Sequence, residues 1–299
     1  MHKGSMLRLL HHNSLTYAAI VPTRRSVVLA AAALPLAACG SPGTSTTTPS
    51  EETPRAMRIT YGEDTSQFAE LTRPEGTSKG VVVVIHGGFW KAQYDLGLGR
   101  PLARSLAEHG WTAWNIEYRR VGNGGGAPET FDDVHAAIDL LASIPDVDLS
   151  TVLTLGHSAG GHLAVWAAGR HRYAAWSGAS VRVTGALSQA GVLDLQRADR
   201  EDLGAGAVQR LLGHPATTDD EAYDPQQHLP LEVPVRCIHG RADDTVPTDQ
   251  STNYVAAATD AGADAAVDLV DGDHFVVIDP GSQAWTRQLE LLDELAGHA

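Results

Sequence analysis

The chain has 299 residues, of which 43% are hydrophobic and 19% charged, a balance that excludes a disordered polymer and suits one large domain or two small ones. Its formal net charge of −14 argues against a nucleic-acid interface, which needs a basic surface. With only two cysteines, Cys39 and Cys237, a disulfide scaffold is excluded as the basis of the fold.

Taken in chain order, the first feature is an export signal over residues 1–38. Arg24 and Arg25 stand just before an apolar run that continues through Ala38. About a dozen apolar residues are too few to span a bilayer as a helix but suit a signal h-region. The run closes in Leu36-Ala37-Ala38-Cys39-Gly40, which resembles the lipobox of bacterial lipoproteins, and the arginine pair resembles a twin-arginine signal. These resemblances imply acylation at Cys39 and a protein anchored on the outer side of the cytoplasmic membrane, at the cell surface or in the periplasm. Residues 1–38 hold four of the 22 basic residues (Lys3, Arg8, Arg24, Arg25) and none of the 36 acidic ones, so the remainder carries about −18. Such a chain has no polybasic attachment to anionic lipid, and the lipid at Cys39 is its one expected membrane contact. Residues 39–55, rich in Ser, Thr and Pro without apolar periodicity, read as a flexible linker.

From residue 56 to 299 short apolar runs alternate with helical patterns. Val81–Ile85 is a continuous β-branched run, expected of a strand buried on both faces. Leu98–His109 has helical periodicity stopped by Gly110, Trp111–Tyr118 reads as a second strand, and Glu129–Ile144 as a helix opened by acidic residues. Thr151–Leu155 is a third strand and Gly161–Ala168 an apolar helix. Further strands fit Val181–Ser188, Val233–Ile238 and Ala265–Val270, and further helices Gln250–Ala261 and Ser282–Ala296. This alternation predicts an α/β protein with a mostly parallel, doubly wound sheet. Val192–Leu231 breaks the rhythm, with one short helix over Ala207–Leu212, and reads as a small cap or rim insertion.

Chemistry is concentrated at the carboxyl ends of the strands. Gly156-His157-Ser158-Ala159-Gly160 follows an apolar strand and opens a helix, the setting in which a Gly-x-Ser-x-Gly turn exposes a nucleophilic serine. A serine hydroxyl also needs a base and an acid to orient that base. Asp271-Gly272-Asp273-His274 supplies His274 after the last strand. His239-Gly240-Arg241-Ala242-Asp243-Asp244-Thr245-Val246-Pro247 offers two carboxylates, and the spacing to Val246-Pro247 favours Asp243 over Asp244. The glycines of His86-Gly87-Gly88-Phe89-Trp90 let backbone N–H groups face an oxyanion, with Gly88 and Phe89 as donors beside Ala159. Trp90, Tyr94 and Tyr118 are candidates for an aromatic substrate pocket, with core packing the alternative for each. His86 and His239 read as structural. His157 and His162, five residues apart, do not share a helix face as zinc ligands would. No metal or cofactor signature is present, and Gly122-Asn123-Gly124-Gly125-Gly126 lacks the ending of a phosphate-binding loop.

The motifs His86-Gly87-Gly88-Phe89-Trp90, Glu117-Tyr118-Arg119-Arg120, Gly156–Ala164 and Asp273-His274-Phe275 together resemble the α/β-hydrolases of the kynurenine formamidase-like and feruloyl-esterase-like (BD-FAE-like) group, over about Val81 to Trp285. The resemblance implies an α/β-hydrolase fold and a cofactor-independent serine hydrolase acting on a small-molecule ester or amide. An ester with a small acyl or small aromatic group is the expected substrate. Arylformamidase activity is the alternative, disfavoured by the export signal, and a non-catalytic binding lipoprotein is a second one.

Overall fold

The computed structural model describes residues 56–298, so the export signal, Cys39 and the linker lie outside the described residues. The described residues open with β1 (Met57–Thr60) and β2 (Phe68–Thr72), an antiparallel pair, and enter the centre of the sheet at β3 (Val81–Ile85). Then follow α1 (Arg100–Glu108), β4 (Thr112–Ile116), α2 (Glu129–Asp139), β5 (Val152–His157) and α3 (Ala159–Gly169). The second half runs β6 (Gly185–Gln189), α4 (Leu195–Arg200), α5 (Ala207–Leu212), β7 (Val235–Gly240), α6 (Asp249–Asp260), β8 (Ala265–Val270) and α7 (Gln283–Ala296). The eight strands form one sheet in the order β1-β2-β4-β3-β5-β6-β7-β8. Only the pairings β1–β2 and β2–β4 are antiparallel; from β4 to β8 every ladder is parallel, as the β-α alternation predicts.

The all-apolar sequence of β3 follows from its place between two layers. Val81, Val83 and Ile85 join a core with α2 and α3, while Val82 and Val84 join a core with α1 and α7. Four differences from the sequence reading have local causes. The β1–β2 hairpin went unread because its strands are short and β1 is largely exposed. The strand read from Val181 begins at Gly185. The helix read to Ile144 is α-helical only to Asp139, tightening into a 3-10 turn over Leu140–Ser143. The insertion also holds α4 ahead of α5, and Val192, Leu195, Ala198, Val208 and Leu211 pack into the same core as Phe131 and Trp166.

Candidate active site

Strand β5 runs straight into Ser158, whose φ of 56° and ψ of −118° form the sharp turn that opens α3. The flanking glycines are dictated by contact. A Cβ on Gly156 would lie 2.0 Å from the Gly160 carbonyl oxygen, and one on Gly160 would lie 2.1 Å from the Ile85 carbonyl oxygen. The turn is therefore wedged against the end of β3, where the His86-Gly87-Gly88-Phe89 loop begins. Ser158 N–H donates to the Gln189 carbonyl at 2.8 Å, which fixes the turn to β6. Ala159 is the first residue of α3, so its N–H has no acceptor within the helix.

His274, on the loop after β8, lies against His157, the residue before Ser158. Nε2–H of His157 donates to the His274 carbonyl at 2.9 Å, and the two rings lie 4.5 Å apart. Burial keeps His157 neutral, with its pKa lowered to about 3, so it places no second cation beside His274. His274 Nδ1 donates to Asp243 Oδ2 at 2.6 Å, leaving Nε2 as the ring nitrogen available for proton exchange. Both side chains are buried. Asp243 Oδ1 accepts the backbone N–H groups of Thr245 and Val246 at 2.9 and 2.8 Å, and Oδ2 also accepts from His239 at 3.0 Å. Burial would raise the Asp243 pKa, but the bonds from His239, His274 and Val246 outweigh it and hold the group far below the usual carboxylate range. Asp244 is exposed and makes no bond to His274. Of the two carboxylates, Asp243 is the one that reaches the imidazole.

The loop after β3 carries three consecutive left-handed residues, Gly88 (φ 112°), Phe89 (φ 53°) and Trp90 (φ 54°). Among the described residues neither Gly88 nor Phe89 donates its N–H to a backbone acceptor. The loop is braced from below. Glu117, at the end of β4, accepts from Arg120, from Tyr118 N–H at 3.0 Å and from Leu96 N–H at 2.9 Å. Burial would raise the Glu117 pKa, yet its neighbours His86 and Arg120 and the Leu96 N–H hold it lowered. His86 Nδ1 donates to the Gly87 carbonyl at 2.8 Å, and its Nε2 lies 3.1 Å from the accepting Glu117 Oε1. Because Gly87 C=O and Gly88 N–H belong to one planar peptide, holding the carbonyl also fixes where the N–H points.

The three aromatic residues expected at a substrate pocket take different places in the fold. Tyr118 is fully buried, stacks on His86 at 4.5 Å between ring centroids and donates its hydroxyl to the His86 carbonyl at 2.7 Å. Trp90 is likewise buried, with its indole N–H on His162 Nδ1 at 3.2 Å. Both are core residues, a correction to their reading as pocket lining, and the reason is that each polar tip is satisfied inward. Tyr94 keeps an exposed ring lying against Gly88, and Phe275, which the sequence reading left without a role, is 59% exposed beside His274. Sequence reasoning also missed the contacts of His157, and of His239 with Asp243. The signal was nearness in sequence, His157 next to Ser158 and His239 four residues before Asp243, but nearness in sequence does not reveal which way a ring points. Among the described residues no group of three or more His, Cys, Asp or Glu side chains is placed to hold a metal ion.

Comparison with known proteins identifies the family and the fold. The BD-FAE family model matches residues 70–257. A truncated carbohydrate esterase from gut microbiota superposes with a TM-score of 0.70 at 20% identity, covering 83% of this chain and 99% of its own. Esterase B from Lactobacillus rhamnosis gives 0.72 at 22% identity, covering 82% and 87%. A thermophilic esterase from the planctomycete Thermogutta terrifontis gives 0.66 at 24% identity, covering 81% and 92%. At these identities the solved structures establish the α/β-hydrolase fold. No curated protein matches the chain.

Proposed function

The chain belongs to the BD-FAE family of α/β-hydrolase-like esterases, and from that premise we propose that it hydrolyses carboxylic esters through an acyl-enzyme on Ser158. Ser158 Oγ attacks the ester carbonyl carbon while His274 Nε2 takes the hydroxyl proton. The oxygen that becomes negative lies against the N–H groups of Gly88, Phe89 and Ala159, donors worth about 3 kcal/mol each when aimed at it. As the carbonyl re-forms, the C–O bond to the leaving group breaks and His274 returns its proton to that oxygen. Water then repeats the sequence, giving up a proton to His274, and the acid departs as Ser158 is regenerated. Asp243 holds His274 in the tautomer with hydrogen on Nδ1 throughout.

The observation that carries this reading is the 2.6 Å bond from His274 to Asp243, with the His274 ring against His157, the neighbour of a left-handed Ser158. Exposed Tyr94, against Gly88, and exposed Phe275, beside His274, favour small acyl or small aromatic esters. The order of Arg24-Arg25, apolar run and Cys39 supports an exported enzyme whose membrane contact is a lipid at Cys39. Fluorophosphonate labelling tests the nucleophile: wild type is expected to be modified and Ser158→Ala spared. Absence of labelling in folded wild type would overturn the reading. Short-chain p-nitrophenyl esters are expected to exceed N-formylkynurenine in kcat/KM, and the reverse by orders of magnitude would make the enzyme a formamidase.

A further inference from the structure

Strand β7 ends in Ile238-His239-Gly240, and His239 is completely buried between that strand and α6. Its Nε2 lies 3.0 Å from Asp243 Oδ2 and 2.9 Å from the Val246 carbonyl. Both of those oxygens only accept, so Nε2 carries the hydrogen. Its Nδ1 lies 2.8 Å from Ser251 Oγ on α6, a hydroxyl able to donate to it. The ring is thereby held between β7 and α6 with its Nε2 hydrogen on Asp243 and Val246. Asp243 Oδ2 is thus shared by two imidazoles, one presented to the nucleophile turn and one behind it.

We propose that His239 is a positioning residue for His274: through Asp243 it sets how strongly the imidazolium proton is held. The proposal rests on the reading of Ser158, His274 and Asp243 as a catalytic set. A carboxylate that already accepts one N–H at Oδ2 is less basic toward a second, because each donor draws on the same negative charge. Removing His239 leaves Oδ2 to His274 alone. The Asp243 charge then pulls harder on the His274 proton, the imidazolium is stabilised, and less neutral base is present at a given pH.

The surrounding groups do not supply a competing cause. On the β5 side His274 meets His157, whose N–H goes to the His274 carbonyl. On its own loop Asp273 is engaged with the Phe275 and Val276 N–H groups. Beside Asp243, Asp244 is exposed. His239 itself faces Ser251 on α6, and Cys237, two residues before it on β7, is buried.

The test is an NMR titration of the His274 imidazole in the full-length protein, paired with the pH dependence of kcat/KM. In His239→Leu the His274 midpoint is expected to rise by about one unit, and the acid limb of kcat/KM to move with it, while KM stays within about twofold. His239→Gln, which presents an N–H at similar reach, is expected to return the midpoint to the wild-type position. Should His239→Leu fail to fold, Ser251→Ala carries the test: it frees Nδ1, loosens the hold on the ring and is expected to raise the midpoint by a few tenths of a unit. A merely structural His239 would lower thermal stability and leave the His274 midpoint where it was, and that result would overturn the proposal, as would His239→Gln behaving like His239→Leu. The titration reads His274 without turnover, so failed fluorophosphonate labelling would sink the serine-hydrolase reading alone. An unmoved midpoint in labelled, active protein would sink the positioning role alone.

Discussion

Asp243 and Asp244 are adjacent and chemically identical, yet only one has its carboxylate turned inward to four donors. The distinction is created by the Asp243-Asp244-Thr245-Val246 turn, whose backbone N–H groups close on Oδ1 and aim Oδ2 at the two histidines. Asp243→Asn is expected to cut kcat on the order of 10⁴-fold, because an amide there favours the wrong His274 tautomer. Asp244→Asn is expected to leave kcat within about twofold, since its carboxylate is solvated. Steady-state kinetics on a short-chain ester with both variants checks this, and equal losses would reassign the acid. At the same scale Trp90 and Tyr118 show why an aromatic residue beside a site motif is ambiguous. Their positions in sequence suited a pocket, and their inward hydrogen bonds made them core.

Among the elements, the loop after β3 is the most constrained. Phe89 and Trp90, two non-glycine residues in succession held left-handed, cost backbone energy that the surroundings must offset. The network of Glu117, Arg120, His86 and Tyr118 does so from β4, and Gly204 of the insertion lies so close to Phe89 that a Cβ there would meet the ring at 2.4 Å. At Gly88 a Cβ would fall 2.4 Å from the Tyr94 ring, in addition to the strain of φ 112°. Gly88→Ala is therefore expected to displace the loop and lower kcat on the order of 100-fold, with KM altered much less, because the donor is lost mainly to the transition state. Kinetics alongside thermal unfolding separates this from a general loss of fold. A KM effect alone would argue that the loop binds substrate without stabilising the oxyanion.

Over the whole molecule, buried histidines tie stability to pH. Burial lowers the pKa of His157 to about 3, His162 to about 4 and His228 to about 3. His162 illustrates the cause: Nε2 donates to the Tyr223 carbonyl and Nδ1 accepts from Trp90, so a second ring proton has no acceptor. Below pH 6.5 the unfolded chain protonates these histidines and the folded one does not, so their contribution to stability falls with pH until their folded pKa values are reached. Asp224 acts in the opposite sense. Burial raises its pKa to about 6, so between roughly pH 4 and 6 the folded state holds the extra proton. Near pH 5 these three histidines against that one carboxyl leave about two protons taken up on unfolding, a contribution of about 3 kcal/mol per pH unit, to which the lowered His135 and His171 add in the same sense. Urea unfolding at pH 7.5, 6 and 5 is expected to show stability dropping with that steepness, and Asp224→Asn is expected to steepen it by one more proton. A flat profile would mean that these rings accept protons in the folded state.

By itself the sequence determined the parallel sheet, the Ser158 turn, the glycine loop after β3 and the placing of His274 on the loop after the last strand. These features are written in consecutive residues: a β-branched run demands burial on both faces, and Gly-x-Ser-x-Gly demands small neighbours at close backbone contacts. The β1–β2 hairpin and α4 are too short for periodicity to reveal. Spacing to Val246-Pro247 favoured Asp243 over Asp244, and the bond to His274 is made by Asp243. The tertiary structure alone decided that Trp90 and Tyr118 turn inward, and that His157 and His239 converge on His274 and Asp243. Those outcomes depend on which side chains parallel strands bring together across their carboxyl ends. The pairings His157 with His274 and His239 with Ser251 cross 117 and 12 positions, and packing, not local propensity, sets them.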